Sequence, residues 1–506
     1  MDQIQGGNVQ MTNRVALIFG FLFLSLHLSA RDKVYFIKDS LKYLLWSEDS
    51  SVLVMAVGDS VRLPITEDST LVIPASVTVD GRTYMVEGIN DNGFRYRPEI
   101  KHVVLSEGIS FTGEYAFQRC VNLESVHFPT TFSWTDPSSF VGCSQLKSIT
   151  VEDGNKEFDS RDNCNALIKT DDNELVLGCR YTRIPNGITT IGQCAFSGQR
   201  HMSGINIPEG IKKIDNVAFD GCTGLKHIIL PSTLESIGGA SFGGCTSLEE
   251  LVIPANVSNI DEYIVAGCHN LKRIIVSPDN KTFDSRDNCN AIVNTKEDCI
   301  VTGCGNTVIP DNVKKIGPSA FSGSSLTRIF IPASIMQIAE TAFTNCRFCT
   351  SIEVAPGNPV YDSRENCNAV IETSTGTLVK GCARTTFPSD VSRIGNYAFS
   401  AMVMPSYYVI PEGIVSIGHH AFSGCNFRFL VLPESLKEIE NSTFTFCRQL
   451  EEVEMNSTDI SIGAMAFNHC YSLRSVRLPQ RTRFANSEVF HDTPYQEIYD
   501  REYGKP

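Results

Sequence analysis

Tryptophan is nearly missing from this sequence: 506 residues hold two, Trp46 and Trp134. Capture of sugars by ring stacking wants several exposed aromatic platforms, so the scarcity weakens any glycan-binding reading. Basic clusters are missing as well. With 43 Lys+Arg against 57 Asp+Glu the formal net charge is −14. That field repels phosphate backbones and anionic lipid surfaces, which argues against nucleic acid as a partner. The longest apolar run, Val15 to Leu28, has only 14 residues, short for a membrane span. There is no G-x-S-x-G, H-E-x-x-H or phosphate-binding Gly-rich loop. His419-His420 falls where other units carry varied polar residues, so it reads as a solvated loop pair. No enzyme, cofactor or metal site is expected.

The N-terminus carries an export pattern: Met11-Thr12-Asn13-Arg14, the apolar run, then small residues at Ser29-Ala30. Residues 1–30 are therefore expected to be a signal peptide cleaved near Ala30, with Met11 an alternative start. An uncleaved anchor is the other reading. The mature chain is expected to insert in no membrane.

A chain this long exceeds one hydrophobic core, so it divides into domains or repeats. It repeats. A small residue, then Phe, then Cys three residues on recurs as Ala116-Phe117…Cys120, Ala218-Phe219…Cys222, Ala421-Phe422…Cys425 and Ala466-Phe467…Cys470. This register position is filled by Phe94, Phe117, Phe140, Phe196, Phe219, Phe242, Val265, Phe321, Phe343, Phe399, Phe422, Phe444, Phe467 and Phe490. Steps are 22 or 23 residues, except three of 56, each a 23-residue unit plus a 33-residue one. An aliphatic-Pro pair such as Ile207-Pro208 or Ile253-Pro254 precedes the register residue by 12. The unit reads L-x-x-I-x-I-P, a short gap, V-x-x-I-G, then A-F-x-G-C. Leu225–Leu230 is expected to be a strand ended by Pro231, and Ala240-Ser241-Phe242 a short helical turn. One such unit cannot bury its apolar face alone, so units must stack.

The long units run over about 151–184, 276–309 and 354–387. Each carries Asn155, Asn280 or Asn358, then Phe158-Asp-Ser-Arg-Asp-Asn-Cys164-Asn165 or its equivalents ending at Cys289 and Cys367, then Gly-Cys at Cys179, Cys304 and Cys382. Two short apolar runs around a polar turn predict a hairpin.

The A-F-x-G-C-x-x-L-x-x-I-x-I-P unit and the D-S-R-D-N-C-N-A unit resemble the BspA-like (Treponema-type) leucine-rich repeats of bacterial surface proteins. The resemblance spans about 71–492 and includes an entry unit at Ile73-Pro74…Phe94. It implies a right-handed leucine-rich-repeat solenoid, β-rich with short helical turns and a parallel strand ladder on one face. It also implies a chain secreted or displayed at a bacterial surface, in a family that includes adhesins. Residues 31–70 then read as an N-terminal cap segment and 493–506 as a C-terminal tail.

Nine cysteines sit three residues after the register position and read as small buried hydrophobes. Cys346 and Cys349 form an isolated C-x-x-C without a second pair, so zinc is not expected. In the long units Cys164/Cys179, Cys289/Cys304 and Cys367/Cys382 stand as mirror partners across the hairpin. They are either disulfides formed after export or thiols packing across the sheet. The Asp-Ser-Arg-Asp-Asn run alternates oxygen ligands as calcium sites do, but Arg161, Arg286 and Arg364 interrupt it, and Asx-turns explain it more simply.

Strand alternation turns the residues between the leucine and isoleucines outward. This outer surface is apolar and aromatic in the middle of the array: His227, Ile229, Glu250, Val252, Arg273, Ile275, Arg328, Phe330, Tyr407, Val409, Phe429 and Val431. Such a patch marks an interaction site, or reflects strand propensity alone. The expected function is recognition of an extracellular protein, host or bacterial, with glycan binding the alternative.

Overall fold

The computed structural model describes residues 35–45, 51–58 and 61–502; the expected signal peptide and Trp46 lie outside the described residues. Where ordinary units follow one another, the L-x-x-I-x-I segments pair as parallel strands. Thr70–Ile73, His102–Leu105, Ser125–Phe128 and Ser148–Val151 form one such ladder. Tyr407–Val409, Phe429–Leu432, Glu452–Met455 and Ser475–Arg477 form another. Between them stand the pairs Glu250–Ile253 with Arg273–Val276 and Arg328–Ile331 with Ser351–Val354. Leu251 and Ile253 point inward and Val252 outward, as strand alternation requires. The architecture is a β-solenoid of about 17 turns.

Strands are not confined to one face. The V-x-x-I-G stretches make a second parallel ladder of two-residue rungs, such as Thr190-Ile191, Lys213-Ile214, Ser236-Ile237 and Asn259-Ile260. These rungs stay short because the chain turns directly after the isoleucine. Leu225–Leu230 is not a full strand either. It makes a single bridge, Ile229 to Asn206, because the facing segment carries Gly204, which offers no side chain to pack.

The A-F segments also depart from expectation, being linked turns rather than helical ones. Val217, two residues before Phe219, has φ 61° and Gly221, two after, has φ 68°; a right-handed helix admits neither. The N–H groups of Val217, Phe219 and Gly221 donate instead to Gly239, Ser241 and Gly243 of the next turn at 2.7–2.8 Å. Cross-turn bonds thus offset the backbone strain.

All fourteen register side chains are buried. Their rings stack in runs, with Phe196–Phe219 at 5.1 Å and 2°, and Phe399–Phe422 at 4.9 Å and 2°. Each ladder cysteine donates its S–H to the carbonyl of the register residue one unit back, as Cys222 does to Phe196 at 3.1 Å and Cys245 to Phe219 at 3.2 Å. A small hydrophobe with a weak donor therefore suits the position better than alanine would.

Each long unit ends one pair of ladders and begins the next. Ala166–Lys169 and Glu174–Gly178 form the hairpin, and the return strand is the first rung of a new second ladder. Asn155 locks the unit to the preceding turn. Its Nδ2 donates to the carbonyls of Pro129 and Phe132, and its Oδ1 accepts the N–H groups of Glu157 and Phe158, all within 2.9 Å. Asn280 and Asn358 repeat this. Arg161 holds the Asp159 carboxylate at 2.6 Å, Arg286 holds Asp284 at 2.9 Å and Arg364 holds Asp362 at 2.5 Å. The arginine N–H closes the Asx-turn in each.

The six long-unit cysteines are free thiols, contrary to the bridged reading. Ala166 faces Gly178 across the hairpin, which puts Cys164 and Cys179 on opposite faces. Cys164 packs in the middle core and Cys179 in the N-terminal core. Cys289 and Cys304 are divided in the same way between the C-terminal and middle cores; the third hairpin has the same register, though Cys367 and Cys382 both border the C-terminal core. Burial also raises the thiol pKa of Cys245 and Cys425 to about 12, where the reactive thiolate is negligible. Without reductant, all 18 cysteines should titrate with Ellman's reagent in guanidinium chloride, whereas the native chain should react slowly. A shortfall of six thiols in denaturant would reinstate the bridges.

The ends are covered. Tyr35–Lys38, Leu41–Leu45 and Ser51–Ala56 form an antiparallel sheet that joins Arg82–Ile89. At the other end the helix Gln496–Glu502 brings Tyr499, with Tyr495, to 5.1 and 5.0 Å from the Phe490 ring.

Candidate ligand-binding surface

The outward positions of the strands build the candidate surface, because each inward neighbour is fixed in the core. Val252 pairs with Ile275 and Glu250 with Arg273. Tyr407 pairs with Phe429 and Val409 with Val431, while Phe330 faces Glu353. Ile229 is 81% exposed, Tyr407 62% and Phe330 38%. Val252, Val409, His227, Arg273 and Arg328 are exposed too, and Glu250, Ile275, Phe429 and Val431 half-buried. The twelve residues fall into three islands, separated by the second and third long units: 227–275, 328–330 and 407–431.

Charge on this face is already paired. Arg273 meets Glu250 at 2.8 Å, Arg328 meets Glu353 at 2.7 Å and Arg428 meets Glu451 at 2.8 Å. Arg328 also lies 5.8 Å from the Phe330 ring centroid. Exposed pairs of this kind are weak, about 0–1 kcal/mol, so an incoming carboxylate can exchange for the glutamate.

Two grooves open where long units interrupt the ladder. One, of about 950 Å³, is lined by residues that include Lys147, Thr150, Asp159, Arg161, Tyr181 and Arg183. Its counterpart in the second unit, of about 720 Å³, is lined in part by Lys272, Ile274, Ile275, Arg286, Asn290 and Asn306. The strand columns alone gave no sign of either.

A second surface escaped the strand-based reading. Most residues two before or after the register Phe take left-handed backbone, and several are aromatic. Tyr397 stacks on His420 at 5.2 Å, Phe446 stacks on His469 at 4.7 Å, and Arg95 lies over both Tyr96 and Tyr115. Burial, then the neighbouring His419, lowers the His420 pKa. Their signal in the sequence is the recurrence of Tyr, Phe and His two residues before or after the register Phe.

A model of the BspA type leucine rich repeat region matches residues 82–169, 178–292, 301–367 and 380–497. The chain belongs to the BspA-type leucine-rich repeat family. No curated protein matches it. Among solved structures it is similar to a leucine-rich cell surface protein of Faecalibacterium prausnitzii, at 19% identity over 92% of this chain and 98% of that one, with a TM-score of 0.33. The pneumococcal vaccine antigen PcpA is 15% identical over 92% and 99% of the two chains, with a TM-score of 0.37. A leucine-rich repeat protein of Bacteroides ovatus is 18% identical over 93% and 98%, with a TM-score of 0.23. Among the described residues no helix of this BspA-type chain is long and apolar enough to cross a membrane.

Proposed function

We propose that this BspA-type protein is exported, displayed at or released from a bacterial surface, and recognises an extracellular protein on its strand face rather than catalysing a reaction. The observation that carries the reading is the set of outward apolar and aromatic side chains on the three islands, Ile229, Val252 and Ile275, then Phe330, then Tyr407, held by strands or a bridge. A rigid solenoid that presents apolar side chains loses little entropy when a partner covers them. Family membership supports surface display. Binding to immobilised host extracellular proteins, or to whole bacteria, is expected to fall about tenfold or more for a Val252→Glu, Phe330→Ala double variant. A folded double variant that binds as tightly as the parent moves the site off this face. Glycan binding is the second reading, favoured by the outward Tyr397–His420 and Phe446–His469 stacks; a glycan array read with Tyr397→Ala tests it.

A further inference from the structure

Each strand that meets a long unit has one edge without a strand partner. In Arg273–Val276, the N–H groups of Arg273 and of Ser277 just beyond it donate to the carbonyls of Glu249 and Ile253. Ile274 and Val276 therefore direct theirs to the opposite, open edge. In the first long unit the equivalent edge is capped at Ile149: Asn165 Oδ1 accepts the Ile149 N–H at 2.7 Å, and its Nδ2 donates to the Lys147 carbonyl at 2.6 Å. In the third, Asn368 Oδ1 accepts the Ile352 N–H at 2.6 Å and Ser363 Oγ accepts the Val354 N–H at 3.1 Å. The second unit differs. Ser285 Oγ donates to the Ile274 carbonyl at 3.1 Å, but Asn290 turns away and donates to the Asn306 carbonyl at 3.4 Å, so that among the described residues neither the Ile274 nor the Val276 N–H has a partner. Both residues are buried, 1% and 6% exposed, where an unmet donor is costly. They line the 720 Å³ groove.

We propose that this edge takes an extended segment of the partner protein, which adds to Arg273–Val276 as a strand and offers its backbone carbonyls to the Ile274 and Val276 N–H groups. The inference rests on the strand-face reading and names its binding mode. Donors two residues apart stand about 6.6 Å from each other, the repeat at which an extended peptide presents successive carbonyls on one side; a sugar has no such repeat. Lys272, exposed at the groove rim without a carboxylate partner among the described residues, favours a segment bearing an acidic residue.

The test selects short linear peptides from a phage-displayed library on the full chain and follows hydrogen exchange by mass spectrometry. Selected peptides should slow exchange in residues 272–277. N-methylation of alternate peptide residues, or the groove-filling substitution Asn306→Trp in a chain that melts as the parent does, should weaken binding about tenfold or more. Failure to select a peptide, or binding that leaves 272–277 exchange unchanged, overturns the proposal. The two readings fail separately. A peptide that protects 272–277 yet ignores the Val252→Glu, Phe330→Ala double variant upholds the open edge and removes the side-chain strip. A protein ligand lost on that variant with 272–277 exchange unchanged does the reverse.

Discussion

Phe219→Ala is expected to cost on the order of 3–5 kcal/mol, the range for truncating a buried aromatic. The ring is fully buried and lies between Phe196 at 5.1 Å and Phe242 at 5.6 Å, near parallel to both. Truncation opens a cavity that neither neighbour can fill without leaving its own stack, and both stacking contacts are lost together. The damage should stay local, because each turn touches only its neighbours. A thermal melt should show the first transition moved to lower temperature, and limited proteolysis should cut first near residues 203–233. An unchanged melt would contradict the assigned register.

Lys380→Leu is expected to act in the other direction and stabilise the chain by about 2–4 kcal/mol at neutral pH, since an amine buried without a partner is among the costliest groups in a core. Lys380 is 2% exposed and its Nζ has no hydrogen-bond partner. Burial depresses its pKa, and the ionisable groups acting on it are the neutral thiols of Cys346, Cys349, Cys425 and Cys382 rather than a carboxylate. The position holds Leu177 in the first hairpin and Thr302 in the second, so the fold accepts an apolar residue there. The sign of the pH dependence follows. Between the depressed folded pKa and the ordinary lysine value of about 10.4, the unfolded chain binds one more proton than the folded one. Stability therefore rises with pH across that window, and below it the penalty is complete. Lys380→Leu should remove this slope as well as raise the melting temperature. A variant no more stable than the parent, with the same slope in urea titrations at several pH values, would show that the amine reaches water.

Much of the fold was legible because a solenoid writes its packing as a period. The spacing of Phe219, Phe242 and their equivalents located the stacked rings of the core, and the return of Asp-Ser-Arg-Asp-Asn located the hairpins. Periodicity said less about conformation. Ala240-Ser241-Phe242 has a helix-compatible composition, yet Ala240 sits at φ 51°, since bonding to the next turn outweighs local propensity. Equal spacing of the cysteine pairs does not imply a shared face, because alternation across the hairpin sends Cys164 and Cys179 into different cores. The candidate strip was visible as a column of outward residues. Its division into islands was not, because a one-dimensional register does not show where hydrogen bonding stops.

The sequence by itself determined the repeat, the buried register, the outward columns and the family, since each depends only on which residue types recur at which interval. Tertiary structure alone decided the second ladder, the left-handed turns, the solitary Lys380 in its core and the open edge at Ile274 and Val276. Each of these turns on which groups face one another between neighbouring turns, and hydrogen bonds and burial act through space rather than along the chain.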